Sequence, residues 1–146
     1  MVVIRVTQAA ALEDPEIREF FLRAIKANDL PYPEGTIIEL QARMNEPQLG
    51  IFAGLDGYGK LVALGIAQLP TSNFMLAAWV VLAYNEGPWI VSREIQREMI
   101  QWVNGFGLKS LIGINRSRKQ DGVWARLWRG LAKPSKLGTV HEFKWE

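Results

Sequence analysis

Along this chain the spacing of apolar residues changes several times, and each change marks an element. Val2, Val3, Ile4 and Val6 concentrate β-branched residues at the start and predict a short strand over residues 1–7. Ile17, Phe20, Phe21, Ala24 and Ile25 then recur at three- and four-residue intervals, predicting a helix over 15–27. Asp14 supplies its cap, and Pro15 sits where a missing N–H costs nothing. Leu30-Pro31-Tyr32-Pro33 ends that helix. Thr36 and Glu39 fit a capping box for a second helix over 37–44, although Ile37-Ile38 suits a strand equally well. Two apolar runs, 49–55 and 60–69, joined by Asp56-Gly57-Tyr58-Gly59, read as a hairpin whose glycines include Gly54, Gly57 and Gly59.

A near-continuous apolar run over 75–84 predicts a strand buried on both faces. After the Gly87-Pro88 turn, a helix starts near Ile90. Ile95, Met99, Trp102, Val103 and Phe106 form its core stripe, and Gly105 and Gly107 lie near its end. Leu111, Ile112 and Ile114 form the next strand. Val123, Trp124, Leu127, Trp128 and Leu131 mark a last helix, and 139–145 a last strand. The order β-α-(α)-β-β-β-α-β-α-β describes one α/β domain over residues 1–146, a mixed, largely antiparallel sheet with helices on both faces.

Composition narrows the chemistry. With 49% apolar and 22% charged residues among 146, the chain reads as a globular, soluble, cytoplasmic protein, and no apolar run approaches membrane-spanning length. The absence of cysteine excludes thiolate nucleophiles, disulfides and thiolate metal sites, and a lone His141 excludes a multi-histidine metal site. The net charge of +2 divides into −4 over residues 1–100 and +6 over 101–146. That basic third suits an anionic partner or a solvated face. Trp124 and Trp128 share a helical face with Leu127 and Leu131, which places them in the core and argues against nucleic acid.

The strand, turn, helix and strand between Trp79 and Ser110 resemble the cofactor-binding core of the GCN5-related N-acetyltransferases, the GNAT fold. Ile51-Phe52-Ala53-Gly54 with Lys60-Leu61-Val62-Ala63-Leu64-Gly65 is similar to that family's hairpin, and 121–128 to a later Asn-x-x-Ala-x-x-Leu-Tyr pattern. The resemblance spans essentially the whole chain. It implies acetyl-CoA (or another acyl-CoA) in a splay between the fourth and fifth strands, its pyrophosphate on backbone N–H groups where the next helix begins. On this chain those cofactor-binding positions are Leu82, Gly87, Trp89, Ile90, Val91 and Ser92, with Asn115 in the polar loop after the fifth strand. Where the family carries Arg or Gln, two residues, Gly, one residue, then Gly or Ala, this chain has Gly87-Pro88-Trp89-Ile90-Val91-Ser92. With Gly87 as N-cap and Pro88 first in the helix, the N–H groups of Trp89, Ile90 and Val91 still point outward.

The resemblance also implies an acid and a base. Trp128 stands where many such enzymes have an acidic Tyr, which leaves Glu86 as base for the amine and Tyr84 as acid, or else a turn carboxylate and a strand-end aromatic. The implied activity is acyl-CoA-dependent N-acetyl transfer to a small-molecule or protein amine. The alternative is a non-catalytic GNAT-fold protein, structural or partner-binding, of the kind found among bacteriophage virion components. Exposed sheet edges of this fold often pair, so a homo-oligomer or protein partner is also implied.

Overall fold

In the computed structural model, residues 2–71 and 77–113 are described in full, together with the backbone of Ile114 and of two later strands. One sheet of seven strands has the order β1-β2-β3-β4-β5-β7-β6. Its members are β1 (Val2–Arg5), β2 (Leu49–Leu55), β3 (Leu61–Gln68), β4 (Ala78–Asn85), β5 (Ser110–Ile114), β6 (Lys133–Leu137) and β7 (Val140–Lys144). Among these pairs only β4 and β5 run parallel. The helices are α1 (Pro15–Ala27), α2 (Pro33–Arg43) and α3 (Trp89–Asn104), with a 3-10 turn at Ala9–Glu13. The mixed sheet and its helices bear out the expected class.

Helix α1 has the expected bounds, and Asp14 Oδ1 accepts hydrogen bonds from the N–H groups of Glu16 and Ile17. Helix α2 starts four residues before the expected position. Pro33 opens it after Tyr32, whose backbone is left-handed (φ 54°), so the expected capping box does not form. Thr36 lies inside the first turn and donates back to the Tyr32 carbonyl at 3.2 Å.

Two apolar layers flank the sheet. Phe20, Phe21 and Ile25 of α1, with Ile37 of α2, pack on Ile51, Leu64, Ile66 and Leu82. Val91, Ile95, Met99 and Val103 of α3 pack on Phe52, Ala63, Ala67, Val80 and Leu111 on the other face. Glycines let α3 come close. A Cβ on Gly54 would stand 2.4 Å from Val91 Cγ1, and one on Gly65 2.6 Å from Ile95 Cγ2. Gly54 therefore belongs to the interior of β2 and is not a turn glycine. Phe106 is 54% exposed and meets Trp102 edge-on at 5.7 Å, so the core stripe of α3 ends before it.

Strand β4 departs from the expectation of burial on both faces. Ala78, Val80 and Leu82 are buried, whereas Val81 and Ala83 are exposed. The register explains the pattern: Ala67 faces Val80 and Ile66 faces Leu82, so Val81 is an extra residue in a bulge. Beyond it, Leu82 joins the α1 layer while Val80 belongs to the α3 layer.

The last strand was expected at 139–145 and spans Val140–Lys144, whereas β6 was not expected at all. Lys-Pro-Ser-Lys-Leu carries almost no strand signal, and its proline is tolerated because β6 is the sheet's outer edge. The helix expected around Val123–Leu131 lies outside the described residues.

Candidate functional site

The ladder between β4 and β5 is short: Ala78 pairs with Leu111, Trp79 with Ile112 and Val80 with Gly113, and there it stops. Strand β4 runs on to Asn85 still paired with β3, Leu82 opposite Ile66 and Asn85 opposite Ala63. Among the described residues, β4 from the bulge onward carries no ladder pair with β5. Among these residues the β4–β5 pairing ends at Val80 and Gly113, and Leu82 lies beyond its last pair.

The turn that follows is built by Asn85. Its Oδ1 accepts from the Gly87 N–H at 2.8 Å, and its Nδ2 donates to the Pro88 carbonyl at 2.9 Å. The Glu86 N–H bonds the Val62 carbonyl at 2.7 Å, which anchors the turn to β3. A Cβ added at Gly87 would lie 3.1 Å from Val62 Cγ2, so a side chain there would require Val62 to shift by a few tenths of an ångström. Pro88 is the N-cap and Trp89 the first helical residue, one place later than the arrangement drawn from sequence. Val91 N–H bonds the Pro88 carbonyl at 3.1 Å. Among the described residues, no side chain caps the helix. Helix geometry leaves the N–H groups of Trp89 and Ile90 without intrahelical acceptors, at the positive end of a sixteen-residue dipole.

Those two donors are the part of the turn suited to a phosphate group. The Gly87 N–H is already engaged, and Pro88 has none. Trp89 and Ile90 are both exposed, Trp89 at 64%, so the rim around the donors is apolar and aromatic. Val91 and Ser92 lie in the first turn, with Val91 buried. Asn115 lies outside the described residues.

On the opposite face of the same strand end, Tyr84 and Glu86 are brought together. The Tyr84 hydroxyl donates to Glu86 Oε2 at 2.6 Å. Arg23, from the middle of α1, donates to both carboxylate oxygens, Nε to Oε2 at 2.7 Å and Nη2 to Oε1 at 3.2 Å. The guanidinium, helped by the phenol, holds Glu86 below the usual carboxylate range. The hydrogen bond to Glu86 and partial burial hold the Tyr84 hydroxyl above its ordinary value. Phe20 packs edge-on against the Tyr84 ring at 5.5 Å. One turn further along, Asn28 Nδ2 bonds the Ala83 carbonyl at 3.0 Å and the Ala24 carbonyl at 2.9 Å, tying the end of α1 to β4.

Arg23, Asn28 and Asn85 did not emerge from the sequence. Arg23 and Asn28 lie more than fifty positions from their partners, and nothing local marks them; Asn85 carries a turn signal that was legible as an Asx motif before glycine. Arg23 also lines a groove of about 940 Å³ that runs away from this cluster, between α1, the segment after β1 and the β2–β3 hairpin. Its lining includes Glu16 and Glu19 of α1 together with Arg5 of β1 and Lys60 of the hairpin. Among the described residues, no group of three metal-ligating side chains occurs and no helix is long and apolar enough to cross a membrane.

No protein-family model matches the sequence, and no curated protein matches it either. Solved structures do. A probable acetyltransferase superposes with a TM-score of 0.71 at 14% identity, over 94% of this chain and 92% of that one. Tetrahymena GCN5 gives 0.65 at 10% identity, over 99% of this chain and 97% of that one. The PaiA N-acetyltransferase of Thermoplasma acidophilum, in complex with coenzyme A, gives 0.66 at 12% identity, over 99% and 100%. At such identities the likeness establishes the fold: this chain has the GNAT acetyltransferase fold.

Proposed function

We propose that the chain binds acetyl-CoA along the unladdered edge of β4 and transfers the acetyl group to a primary amine. The observation that carries this reading is the coincidence of two features at one strand end. Among the described residues the β4–β5 ladder stops at Val80, and the helix that follows begins with two N–H donors that have no acceptor within it. Acetyl-CoA, when bound, supplies an acyl thioester. Trp89 and Ile90 would hold its phosphates through their N–H groups, with the indole of Trp89 beside them. The edge of β4 from Val81 onward offers backbone groups to the rest of the molecule.

In this reading Glu86 receives the amine's proton and Tyr84 returns one to the leaving thiolate. As the chain stands, Arg23 and Tyr84 stabilise the Glu86 anion, which makes it a weak base, and Glu86 holds the Tyr84 proton, which makes the phenol a weak acid. A cationic amine entering from the α1 face would compete with Arg23 for the carboxylate and bring its own proton within reach of Glu86. The acceptor class is a cationic amine, which the Glu86 carboxylate would attract.

A second reading has its own support. Asn85 engages the Gly87 N–H, Pro88 contributes none, and Arg23, Glu86 and Tyr84 satisfy one another. A GNAT-fold protein that no longer catalyses and instead serves a structural or protein-binding role would look like this.

Calorimetric titration of acetyl-CoA into the full chain, with free CoA as control, separates the two. Binding near micromolar, about −8 kcal/mol, supports the acetyltransferase, and an amine screen follows. Absence of binding at millimolar ligand supports the second reading. Given activity, Glu86→Gln should abolish most turnover at neutral pH; unchanged turnover would remove Glu86 as the proton acceptor.

A further inference from the structure

Helix α3 buries one polar side chain without satisfying it. Gln96 is 7% exposed, and its Oε1 has no hydrogen-bond partner among the described residues. A buried carbonyl without a donor loses its hydration uncompensated, so native proteins keep few of them and each needs a reason.

Its position follows from the helix phase. Ile95 faces the glycines of β2 and β3. Trp102, which packs on Phe52 of β2 and Arg5 of β1, lies about 20° to one side of Ile95 around the helix. Gln96 lies about 100° to the other side, away from β1 and toward β4 and β5, on the same flank as the buried Val103. The level along the strand follows from the register. The Cβ position of Gly65 touches Ile95 and Met99, and Gly65 pairs with Ala83. This part of α3 therefore runs beside β4 beyond Val80, where the ladder to β5 has ended.

We propose that Gln96 Oε1 is a ligand-binding acceptor beside the β4–β5 opening, taking a hydrogen bond from an amide N–H of the pantetheine arm of coenzyme A. The inference rests on the cofactor reading above and adds to it a side-chain contact in the middle of the binding track. An orphaned carbonyl calls for a donor, and an uncharged amide-bearing chain is the class of ligand that supplies one without bringing a charge into an apolar flank.

The test is calorimetric binding of CoA, pantetheine and adenosine 3′,5′-diphosphate to wild type, Gln96→Met and Gln96→Glu, with thermal unfolding of each free protein as the check on folding. Gln96→Met should weaken CoA and pantetheine about tenfold, one hydrogen bond's worth, and leave the adenosine diphosphate unchanged. Its free form should melt at or above the wild-type temperature, because the orphaned group is gone. Gln96→Glu keeps an acceptor oxygen at the same reach but places a carboxyl in the apolar flank, so its free form should melt below wild type while it binds both amide ligands more tightly than Gln96→Met. Equal CoA binding by wild type and Gln96→Met, or an equal loss for adenosine 3′,5′-diphosphate, overturns the proposal while leaving the cofactor reading intact. Failure of wild type to bind CoA and pantetheine overturns both.

Discussion

The two faces of the sheet at the end of β4 solve their polar chemistry in opposite ways. On the α1 face, Arg23, Glu86 and Tyr84 are charged or polar side chains drawn from two elements, and each is satisfied by the others. On the α3 face, the turn keeps side-chain chemistry to a single residue, Asn85, and what it presents is backbone: the N–H groups of Trp89 and Ile90, ringed by apolar side chains. The first region is closed until something displaces a partner, whereas the second is open from the start. A ligand seeking dipoles meets the α3 face without a competitor. A ligand seeking Glu86 must outbid a guanidinium.

The largest effect should come from crowding the α3 face alone. Gly54→Val puts a side chain where even a Cβ would stand 2.4 Å from Val91 Cγ1. We expect a loss of about 3 kcal/mol in denaturant unfolding and weaker CoA binding, with the Arg23–Glu86 pair intact. Retention of wild-type stability would mean that α3 is not held against β2 as closely as its contacts indicate.

Arg23→Met opens the other face. Glu86 should then titrate at a higher pH, read directly from its side-chain carboxyl carbon by NMR. The sign of the stability effect follows. Because folding lowers the Glu86 pKa, the pair stabilises above the ordinary carboxylate range, and the contribution is lost as pH falls through the lowered value. Wild type and Arg23→Met should therefore differ in melting temperature at neutral pH and converge in acid. A constant difference across that range would show that Arg23 acts through packing on Phe20, which its guanidinium overlies at 5.3 Å.

Asn85→Ala should cost about 1 kcal/mol in stability through the two lost turn hydrogen bonds, yet it frees the Gly87 N–H. CoA affinity, measured by calorimetry, should hold or rise despite the weaker fold. The smallest effect belongs to Pro88→Ala, which restores an N–H at the helix start and should tighten CoA by a few-fold, roughly 0.5–1 kcal/mol. Weaker CoA binding in both variants would show that the rigidity of the turn matters more than its donors.

Much of the architecture could be read along the chain because it follows from local rules. Helix α1 begins at the capped proline and ends at the expected residue, and the hairpin turns at Asp56, whose Oδ1 accepts from the N–H groups of Tyr58 and Lys60. Reading failed where tertiary context outweighed local signal. Thr36 looked like a cap until Pro33 opened the helix earlier. The run containing Val81 looked doubly buried until a bulge turned that residue out. Strand β6 carries no apolar alternation and exists because β7 offers it a ladder.

The candidate site divides along the same line. That Tyr84 and Glu86 fall at the end of the fourth strand and that α3 begins after the Gly-Pro turn was legible in sequence, because an element order and a Gly-Pro turn are contiguous signals. That Glu86 is ion-paired, that the Gly87 N–H is engaged, and that Gln96 is buried without a partner depend on contacts between segments distant in the chain. Sequence alone determined α1, α3, the hairpin and the class of fold, because periodicity, caps and turn residues act over a few positions. Only the tertiary structure decided which donors and charges are free to meet a ligand, because the cost of desolvating a polar group depends on what the fold packs around it.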